Sequence, residues 1–203
     1  MTRLLLIRHA EPDEDARGRC YGRLDVGLSP RGLASAERLA ENLGNVALDA
    51  LYASPRLRAV QTAAALGGAL TVDDRLRELD FGRLEGRTYE EIEREQPELF
   101  RRWMETPTQV RFPGGESYAD LGERVASAVD DVVAANRERT VALVSHGGVI
   151  RAALAVALGL PGERAFSLDL GYARVSVVDW FGTSPVVRLV NGTAADLPAE
   201  LGG

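Results

Sequence analysis

The sequence predicts an α/β protein with three layers, in which a mostly parallel central sheet carries helices on both faces. Short apolar runs alternate with longer helical patterns, which is typical of this class. Leu4–Ile7 is continuously apolar, as in a strand buried on both faces. At 203 residues the chain can bury one large core. Since no linker or internal repeat interrupts it, we expect a single domain over residues 1–203.

The first half of the chain gives clear start and stop signals after the strand at Leu4–Ile7. Ser29-Pro30 opens a helix as N-cap and first helical residue, and the apolar stripe continues to Leu43. Ala50–Ala53 reads as a short strand, and Leu57–Leu66 as a helix stopped by the following Gly-Gly pair. Thr88 forms a capping box with the glutamate three residues later, which predicts a short acidic helix.

The second half predicts one long helix, a second buried strand and a late strand pair. Ser117 to Arg137 is amphipathic at helical spacing. Val141–Val144 is a buried strand, and Gly148–Leu158 is the helix after it. Arg174–Trp180 and Val186–Val190 read as two strands joined by a glycine-containing turn.

The polar stretch from Pro97 to Glu116 breaks this regularity, with prolines and a Gly-Gly pair. Irregular segments of this length inside a compact domain are often lids or binding loops. We therefore expect a lid-like insertion around residues 88–116.

Composition excludes several classes of function. The net charge of −6 argues against general attraction to nucleic acid or to acidic membranes. The single cysteine, Cys20, allows neither an internal disulfide nor a cysteine-built metal site. The apolar run Leu4–Ile7 is too short for a signal peptide or a membrane span, which leads us to expect a cytoplasmic protein.

The two histidines of the chain, His9 and His146, each lie just beyond an apolar strand. The carboxyl ends of strands in parallel α/β sheets form the ligand crevice, so both imidazoles are expected at one edge of the sheet. Gly147-Gly148 follows His146 and lets backbone N–H groups approach an anion at a helix start.

A third strand end carries Arg56 and Arg58 to the same edge. Two histidines and several arginines together suit a dianionic phosphate. Each feature alone also fits a blander role: the Arg8-His9 pair could be a surface feature, and Arg56 and Arg58 could be solvated helix charges. The coincidence of both histidines at strand ends favours a phosphate site.

These residues resemble the histidine phosphatase superfamily, in its phosphoglycerate mutase-like group. The similarity extends over roughly residues 3–152, with Ala10 in place of the glycine of the family's RHG signature. The similar segments, in order, are LIRHAEP, GRLDVGLSPRG, SPRLRAVQTA, RELDFGRLEG, FPGGES and LVSHGGVIR. A further stretch, GRCYGRLD, resembles the α-ribazole phosphatase branch.

The resemblance implies a role for each charged group. His9 would be the nucleophile that forms a phosphohistidine, with its other ring nitrogen donating to a backbone carbonyl. Arg8, Arg58 and His146 would hold the phosphoryl oxygens. Glu78 would protonate the leaving oxygen and then activate water.

Spacing relative to the family motifs decides between neighbouring candidates. It favours Arg58 over Arg56, and Glu78 over its competitors Asp80 and Glu85.

The same resemblance assigns the surroundings of the phosphate. Gly147 would offer a backbone N–H, while Tyr21 and Gly22 would line the substrate mouth. It implies neither a metal ion nor another cofactor. Glu14-Asp15 departs from the Trp-Asn pair frequent in the family, and Asp15 would add negative charge near the site.

Three functions follow as expectations. The first is a metal-independent phosphomonoesterase acting on a small phosphorylated metabolite, with α-ribazole 5′-phosphate as one candidate. The second is a phosphoglycerate mutase-type transfer, although the resemblance suggests that true mutases are longer. The third is a non-catalytic phospholigand-binding module. Nucleic acid and membrane are not expected as partners, whereas an edge strand at Val175–Trp180 would allow a homodimer.

Overall fold

The computed structural model describes residues 1–197, in which six strands form one sheet. The strands are β1 (Thr2–Arg8), β2 (Ala50–Ala53), β3 (Leu70–Val72), β4 (Thr140–Ser145), β5 (Val175–Phe181) and β6 (Ser184–Gly192). Their order is β3-β2-β4-β1-β5-β6. The first four in this order pair in parallel, and β5 and β6 add on antiparallel. The predicted α/β class and mostly parallel sheet are confirmed, while the predicted domain end at residue 203 lies outside the described residues.

Helices cover both faces of this sheet. They are α1 (Pro30–Leu43), α2 (Leu57–Leu66), α3 (Tyr89–Glu95), α4 (Pro97–Glu105), α5 (Tyr118–Ala135), α6 (Gly147–Leu158) and α7 (Gly162–Ala165). Within residues 1–197, none of the helices has the length and apolar character that crossing a membrane requires.

Alternate residues of β1 pack into two separate hydrophobic cores, one on each face of the sheet. Leu4 and Leu6 join the core that α5 and α6 cover. Leu5 and Ile7 join the core on the other face, with apolar residues of α1 and α2. Since each fully buried leucine or isoleucine contributes roughly 1.5–3 kcal/mol, this strand is anchored from both sides. Its carboxyl end is therefore a rigid place from which to present a side chain.

The start signals in the sequence form the predicted caps. The Ser29 hydroxyl accepts a hydrogen bond from the Gly32 N–H at 2.9 Å, and Pro30 is the first residue of α1. Thr88 and Glu91 exchange both hydrogen bonds of a capping box at the start of α3. These local contacts need no tertiary partner, which is why the sequence predicts them well.

The prediction of an irregular stretch from Pro97 to Glu116 is wrong over its first half, where Pro97–Glu105 forms α4. Pro97 occupies the first turn of that helix, where its missing N–H costs nothing, instead of breaking the chain. The helix is secured by Trp103, which packs against Phe81 and Phe112 with ring centroids 5.7 and 5.1 Å apart.

The predicted edge strand at Val175–Trp180 is wrong as well. This segment lies inside the sheet as β5, with β1 on one side and β6 on the other. The hairpin with β6 supplies the hydrogen bonds that an edge would leave open. The short elements β3 and α7 were not predicted, because three or four residues give too little periodicity to read.

Candidate active site

The two histidines lie side by side at the carboxyl edge of the sheet. His9 follows β1 and His146 follows β4, and these strands are parallel neighbours with Arg8 in register with Ser145. The His9 N–H continues the ladder to the Ser145 carbonyl at 2.8 Å. As a result the two ring centroids are 5.1 Å apart.

His9 is a buried and neutral imidazole. Only 1% of the residue is exposed, and Nδ1 lies 2.7 Å from the Ala10 carbonyl oxygen. Because a carbonyl can only accept, Nδ1 donates and the lone pair resides on Nε2. Burial, together with the charges of Arg58 and Arg8, holds the pKa of His9 well below 6.5.

His146 is held by a neighbouring strand end. Its Nε2 pairs with the Ser54 hydroxyl at 2.7 Å, and Ser54 directly follows β2. Burial and the charge of Arg58 also hold the pKa of His146 well below its usual value. Three adjacent parallel strands thus supply His9, His146 and Ser54 to one edge.

Arg58 is fully buried in the first turn of α2. It lies beneath residues 20–28, which are named here the mouth loop. Its terminal nitrogens donate to the backbone carbonyls of Leu24 at 2.9 Å and Tyr21 at 2.8 Å. It is the leading charged neighbour of both histidines, whereas Arg56 is a lesser one and acts only on His146. The structure therefore brings Arg58 closer to the centre of the site than Arg56.

Arg8 approaches the site from the end of β1. Its Nη1 donates to the Leu170 carbonyl, and its guanidinium carbon lies 4.1 Å from the centre of the Tyr172 ring. A Cβ at Gly147 would lie 3.6 Å from Arg8 and 3.3 Å from Arg151. Two guanidinium groups therefore flank the first residue of α6, whose N–H has no partner inside the helix.

Three buried nitrogens around His9 have no hydrogen-bond partner among the described residues. They are Arg8 Nε, Arg58 Nε and His146 Nδ1. An unpaired buried donor costs roughly 1–3 kcal/mol, so native structures keep few of them. An anion that accepts from these groups would remove that cost.

Glu78 lies against the start of α6, beside His146. Its two carboxylate oxygens accept from the N–H groups of Leu79 at 2.9 Å and Gly148 at 3.1 Å. A Cβ at Gly148 would lie 2.3 Å from a Glu78 oxygen, so this approach requires glycine. The Glu78 charge also acts on Arg58.

The competing acids have other partners. Asp80 accepts from the Gly82 N–H at 2.8 Å, and Glu85 accepts from the Phe81 and Leu24 N–H groups. Burial raises the pKa of Glu85. Of the three carboxylates, Glu78 is the one bonded to the helix that begins beside His146.

A partly buried ion pair, Glu116 with Arg124, holds the segment that carries Glu78. Arg124 donates to the carbonyls of Arg75, Arg77 and Glu78 at 2.7, 2.6 and 3.1 Å. Glu116 binds Arg124 at 2.8 Å and accepts from the Asp80 N–H at 3.1 Å. Burial opposes ionisation of Glu116, but the hydrogen bonds and charge of Arg124, the Asp80 N–H and the charge of Arg77 together outweigh it, and the pKa of Glu116 lies below its ordinary value.

An outer cleft of about 1040 Å³ leads to the site. Arg8, Tyr21 and Tyr172 line it at the inner end, and Glu14 and Asp15 lie on its wall. Asp15 is exposed and does not reach the buried cluster.

The predicted mouth residue Gly22 has a different position. It is buried, and a Cβ there would lie 1.8 Å from the Leu79 carbonyl oxygen. Its own carbonyl accepts from Arg58 at 3.3 Å. Gly22 therefore lies on the inner side of the mouth loop and accepts a hydrogen bond from Arg58, while Tyr21 lines the cleft.

Sequence reasoning missed Ser54, Arg124, Arg151 and Tyr172. Ser54 and Arg151 stand inside segments already recognised as motifs, so their position was a usable signal. Arg124 lies within an amphipathic helix, and Tyr172 in a loop without a motif. Nothing local distinguishes these two from surface residues.

Metal ligands are not grouped in the part of the chain that the structure describes. No set of three or more histidine, cysteine, aspartate or glutamate side chains is close enough to hold an ion within residues 1–197. The buried cluster is instead built from neutral imidazoles, guanidinium groups and one carboxylate.

The fold and this cluster are those of an α/β protein with a phosphate-sized site at the carboxyl edge of its sheet. The sequence profile of the histidine phosphatase superfamily (branch 1) matches residues 4–193. The chain belongs to that superfamily, and it is a phosphatase.

Two relatives illustrate the range of names within the family. Phosphoserine phosphatase 1 of Hydrogenobacter thermophilus (strain DSM 6534 / IAM 12695 / TK-6) is 37% identical over 197 residues, covering 95% of this chain and 93% of the relative. A probable phosphoglycerate mutase, GpmB, of Yersinia pestis (strain Pestoides F) is 32% identical over 210 residues, covering 98% and 97%. Because that relative has a similar length, chain length does not separate phosphatases from mutases here.

A solved structure gives the same fold. The α-ribazole phosphatase from Shigella flexneri superposes with a TM-score of 0.86 at 26% identity, covering 94% of this chain and 96% of the other. The relatives are named for different small phosphorylated substrates, and the substrate of this chain is not determined by them.

Proposed function

We propose that this phosphatase hydrolyses a small phosphomonoester through a phosphohistidine on His9, without a metal ion. The observation that carries the proposal is the state of His9. It is a buried neutral imidazole whose Nδ1 bond to Ala10 leaves the Nε2 lone pair free, and the charges of Arg8 and Arg58 act on it.

In the first step, the Nε2 lone pair of His9 forms a bond to phosphorus as the ester P–O bond breaks. Glu78, protonated at this stage, gives its proton to the departing oxygen and the alcohol leaves. The enzyme then holds a phosphoryl group on His9 and a carboxylate at position 78.

In the second step, the Glu78 carboxylate takes a proton from water as the water oxygen bonds to phosphorus. The N–P bond breaks, its electron pair returns to Nε2, and phosphate leaves. Glu78 is again protonated, so the cycle closes without an external acid, base or metal.

Arg8, Arg58 and His146 hold the phosphoryl oxygens in both steps. Their unpaired nitrogens would find acceptors in those oxygens, and the guanidinium charges stabilise the charge that spreads over them in the transition state. His146 contributes as a neutral donor, because its lowered pKa keeps the ring uncharged. The backbone N–H of Gly147 adds a further donor at the start of α6.

The substrate is a small phosphorylated metabolite. Relatives are named for phosphoserine, for phosphoglycerate and for α-ribazole, so phosphoserine, 3-phosphoglycerate and α-ribazole 5′-phosphate form the first panel. All are monoesters with an anionic phosphate that fits the cluster around His9.

The test is phosphate release from this panel by the wild type and by His9→Ala. We expect His9→Ala to retain the fold by circular dichroism and to lose turnover by at least 10³-fold, since it has no nucleophile. Prior dialysis against a chelator leaves wild-type turnover unchanged if no metal is used. Unchanged turnover of His9→Ala would remove the mechanism.

A mutase-type transfer is the second candidate, favoured by the relative named as a probable phosphoglycerate mutase. Following 3-phosphoglycerate by nuclear magnetic resonance separates the two. Isomerisation faster than release of free phosphate would establish the mutase, and the reverse order supports hydrolysis.

A further inference from the structure

Two tyrosines, Tyr21 and Tyr172, meet above His9 and are named here the tyrosine pair. Their hydroxyl oxygens are 3.0 Å apart and hydrogen-bonded. The ring centroids lie 6.5 Å and 5.6 Å from the His9 ring, respectively. One residue comes from the mouth loop and the other from the loop before β5, so the pair joins two distant segments.

Each ring of the tyrosine pair also stacks on one arginine of the phosphate cluster. The guanidinium carbon of Arg8 is 4.1 Å from the Tyr172 ring centre, and that of Arg58 is 5.0 Å from the Tyr21 ring centre. Such cation–π contacts fix the planes of both rings. The pair therefore has a defined position relative to the groups that take the phosphate.

The backbone sets the Tyr172 ring in place. The N–H of the next residue, Ala173, is shared between the Arg8 and His9 carbonyls at 3.1 and 3.3 Å, and the Arg8 guanidinium donates to the Leu170 carbonyl. The loop 170–173 is thus bonded directly to the end of β1. A change at Tyr172 acts at the mouth of the site rather than through the core.

The tyrosine pair separates the outer cleft from the buried cluster. The cleft is lined by Tyr21, Tyr172 and Arg8, whereas His9 does not line it and is only 1% exposed. An ester that enters from this cleft meets the two rings before it reaches His9. Burial raises the pKa of Tyr21, so its hydroxyl stays protonated and able to hold the pair together across the neutral range.

We propose that the tyrosine pair is the specificity-determining gate of this site, with Tyr172 setting the width of the alcohol that is admitted beside the phosphate. This rests on the proposed function, in which His9 attacks the phosphorus. Phosphomonoesters of unhindered primary alcohols would pass, and those branched next to the ester carbon would be rejected. A wide ester can bind only where the pair has opened. The hydroxyl bond keeps most sites closed to such an ester, which lowers its apparent affinity.

The test compares ethyl phosphate with neopentyl phosphate, whose leaving alcohols are both primary and differ mainly in width. The measured quantity is the ratio of kcat/KM for neopentyl phosphate to that for ethyl phosphate. Tyr172→Phe and Tyr21→Phe keep the stacked rings and remove the bond between hydroxyls. We expect each to raise the ratio about 3- to 10-fold, the effect of one lost hydrogen bond. Tyr172→Ala, which removes the ring, should raise it at least 10-fold.

A double variant makes the test sharper. Because Tyr21→Phe and Tyr172→Phe break the same bond, the double variant should show no larger ratio than either single one. Tyr52→Phe is the matched control, since its hydroxyl accepts from Asn136 at 3.1 Å and takes no part in the site. Its ratio should equal that of the wild type.

Three results in the tyrosine variants would overturn the gate. The first is an unchanged ratio in Tyr172→Ala. The second is a double variant whose ratio is the product of the two single Tyr→Phe effects. The third is inhibition by inorganic phosphate that weakens more than 10-fold in Tyr172→Phe, which would make the hydroxyl a phosphate ligand. If the wild type hydrolyses the esters through His9 but the ratio is unchanged in the tyrosine variants, the gate alone is wrong. Phosphate release from the metabolite panel but from neither simple ester also overturns the gate alone, since ethyl phosphate should pass. No release by the wild type from the panel or from either ester ends the proposed function and the gate together.

Discussion

At the residue scale, the proposed chemistry rests on keeping the imidazole of His9 neutral among positive charges. Burial and two arginines lower the pKa of His9, while the Ala10 carbonyl opposes them and fixes which nitrogen carries the proton. A protonated His9 would have no lone pair for phosphorus. In the proposed mechanism, the same arginines that attract the phosphate therefore also keep the nucleophile in its reactive form.

Glu78→Gln tests the proton donor at this scale. A glutamine cannot protonate the leaving oxygen, so hydrolysis of alkyl phosphates should fall by about 10²- to 10⁴-fold. The leaving group of p-nitrophenyl phosphate needs no proton. The rate constant for release of p-nitrophenolate should therefore fall much less. Single-turnover measurements of both esters provide the comparison. Equal slowing would point to Asp80 or Glu85 as the acid.

Gly148→Ala tests the position of that carboxylate without removing it. The added methyl would lie 2.3 Å from a Glu78 oxygen and must displace the side chain. We expect kcat on alkyl phosphates to fall at least 10-fold. Gly122→Ala is the matched control, because it makes the same change inside a helix, α5, where the added Cβ has no atom within 4 Å. Equal kcat values for the two variants would contradict the placement of Glu78.

The sequence predicted which of the proposed reacting groups lie together better than it predicted the groups around them. His9, His146 and Glu78 stand at strand ends or in recognisable motifs, so local pattern and resemblance were enough to find them. Tyr172 reaches the site through a loop that bonds to β1, and Gly22 turns inward against Leu79. These placements depend on tertiary contacts between distant segments, which no local pattern encodes.

At the element scale, the site depends on a segment with little regular structure that side-chain hydrogen bonds hold in place. Residues 75–80 lie between β3 and the aromatic cluster of α4, and the ion pair of Glu116 and Arg124 fastens them. Arg124 donates to backbone carbonyls up to Glu78, and Glu116 accepts from the backbone N–H of Asp80 just after it. Local signals predicted α1 and α3 through their caps, but not α4, whose stability comes from the packing of Trp103.

Arg124→Met tests this clamp. It leaves the partly buried Glu116 with Arg77 alone and removes the donor that three carbonyls share, so the free energy of unfolding should fall by about 1–3 kcal/mol. Urea denaturation measures the change. Arg101→Met is the control, since its partners Glu98 and Glu105 lie on the exposed face of α4 and the loss should not be measurable. Equal losses in both variants would contradict a clamping role for Arg124.

At the scale of the whole molecule, two buried neutral histidines link stability to pH. Their pKa values are lowered on folding from about 6.5, so the unfolded chain binds protons first as the pH falls below that value. More protons on the unfolded state mean that stability falls with decreasing pH, by up to about 1.4 kcal/mol per pH unit for each histidine. Glu85, with its raised pKa, acts in the opposite direction.

The expected result is a free energy of unfolding that decreases from pH 7 to pH 5.5 in the wild type. His9→Asn removes one of the two titrating groups and leaves Glu85 in place, so its decrease over the same range should be clearly smaller. Urea titrations at a series of pH values give both curves. Equal slopes in the wild type and His9→Asn would show that His9 is not held neutral by the fold.

The central claim, a phosphoryl group carried on His9, is tested most directly by trapping it. Wild-type protein turning over a substrate is quenched in alkali within milliseconds, where phosphohistidine survives, and its peptides are analysed by mass spectrometry. The account predicts one phosphoryl group, on the peptide containing His9 and lost on acid treatment. Full turnover with no phosphorylated peptide, or with the phosphoryl group on another residue, would contradict it.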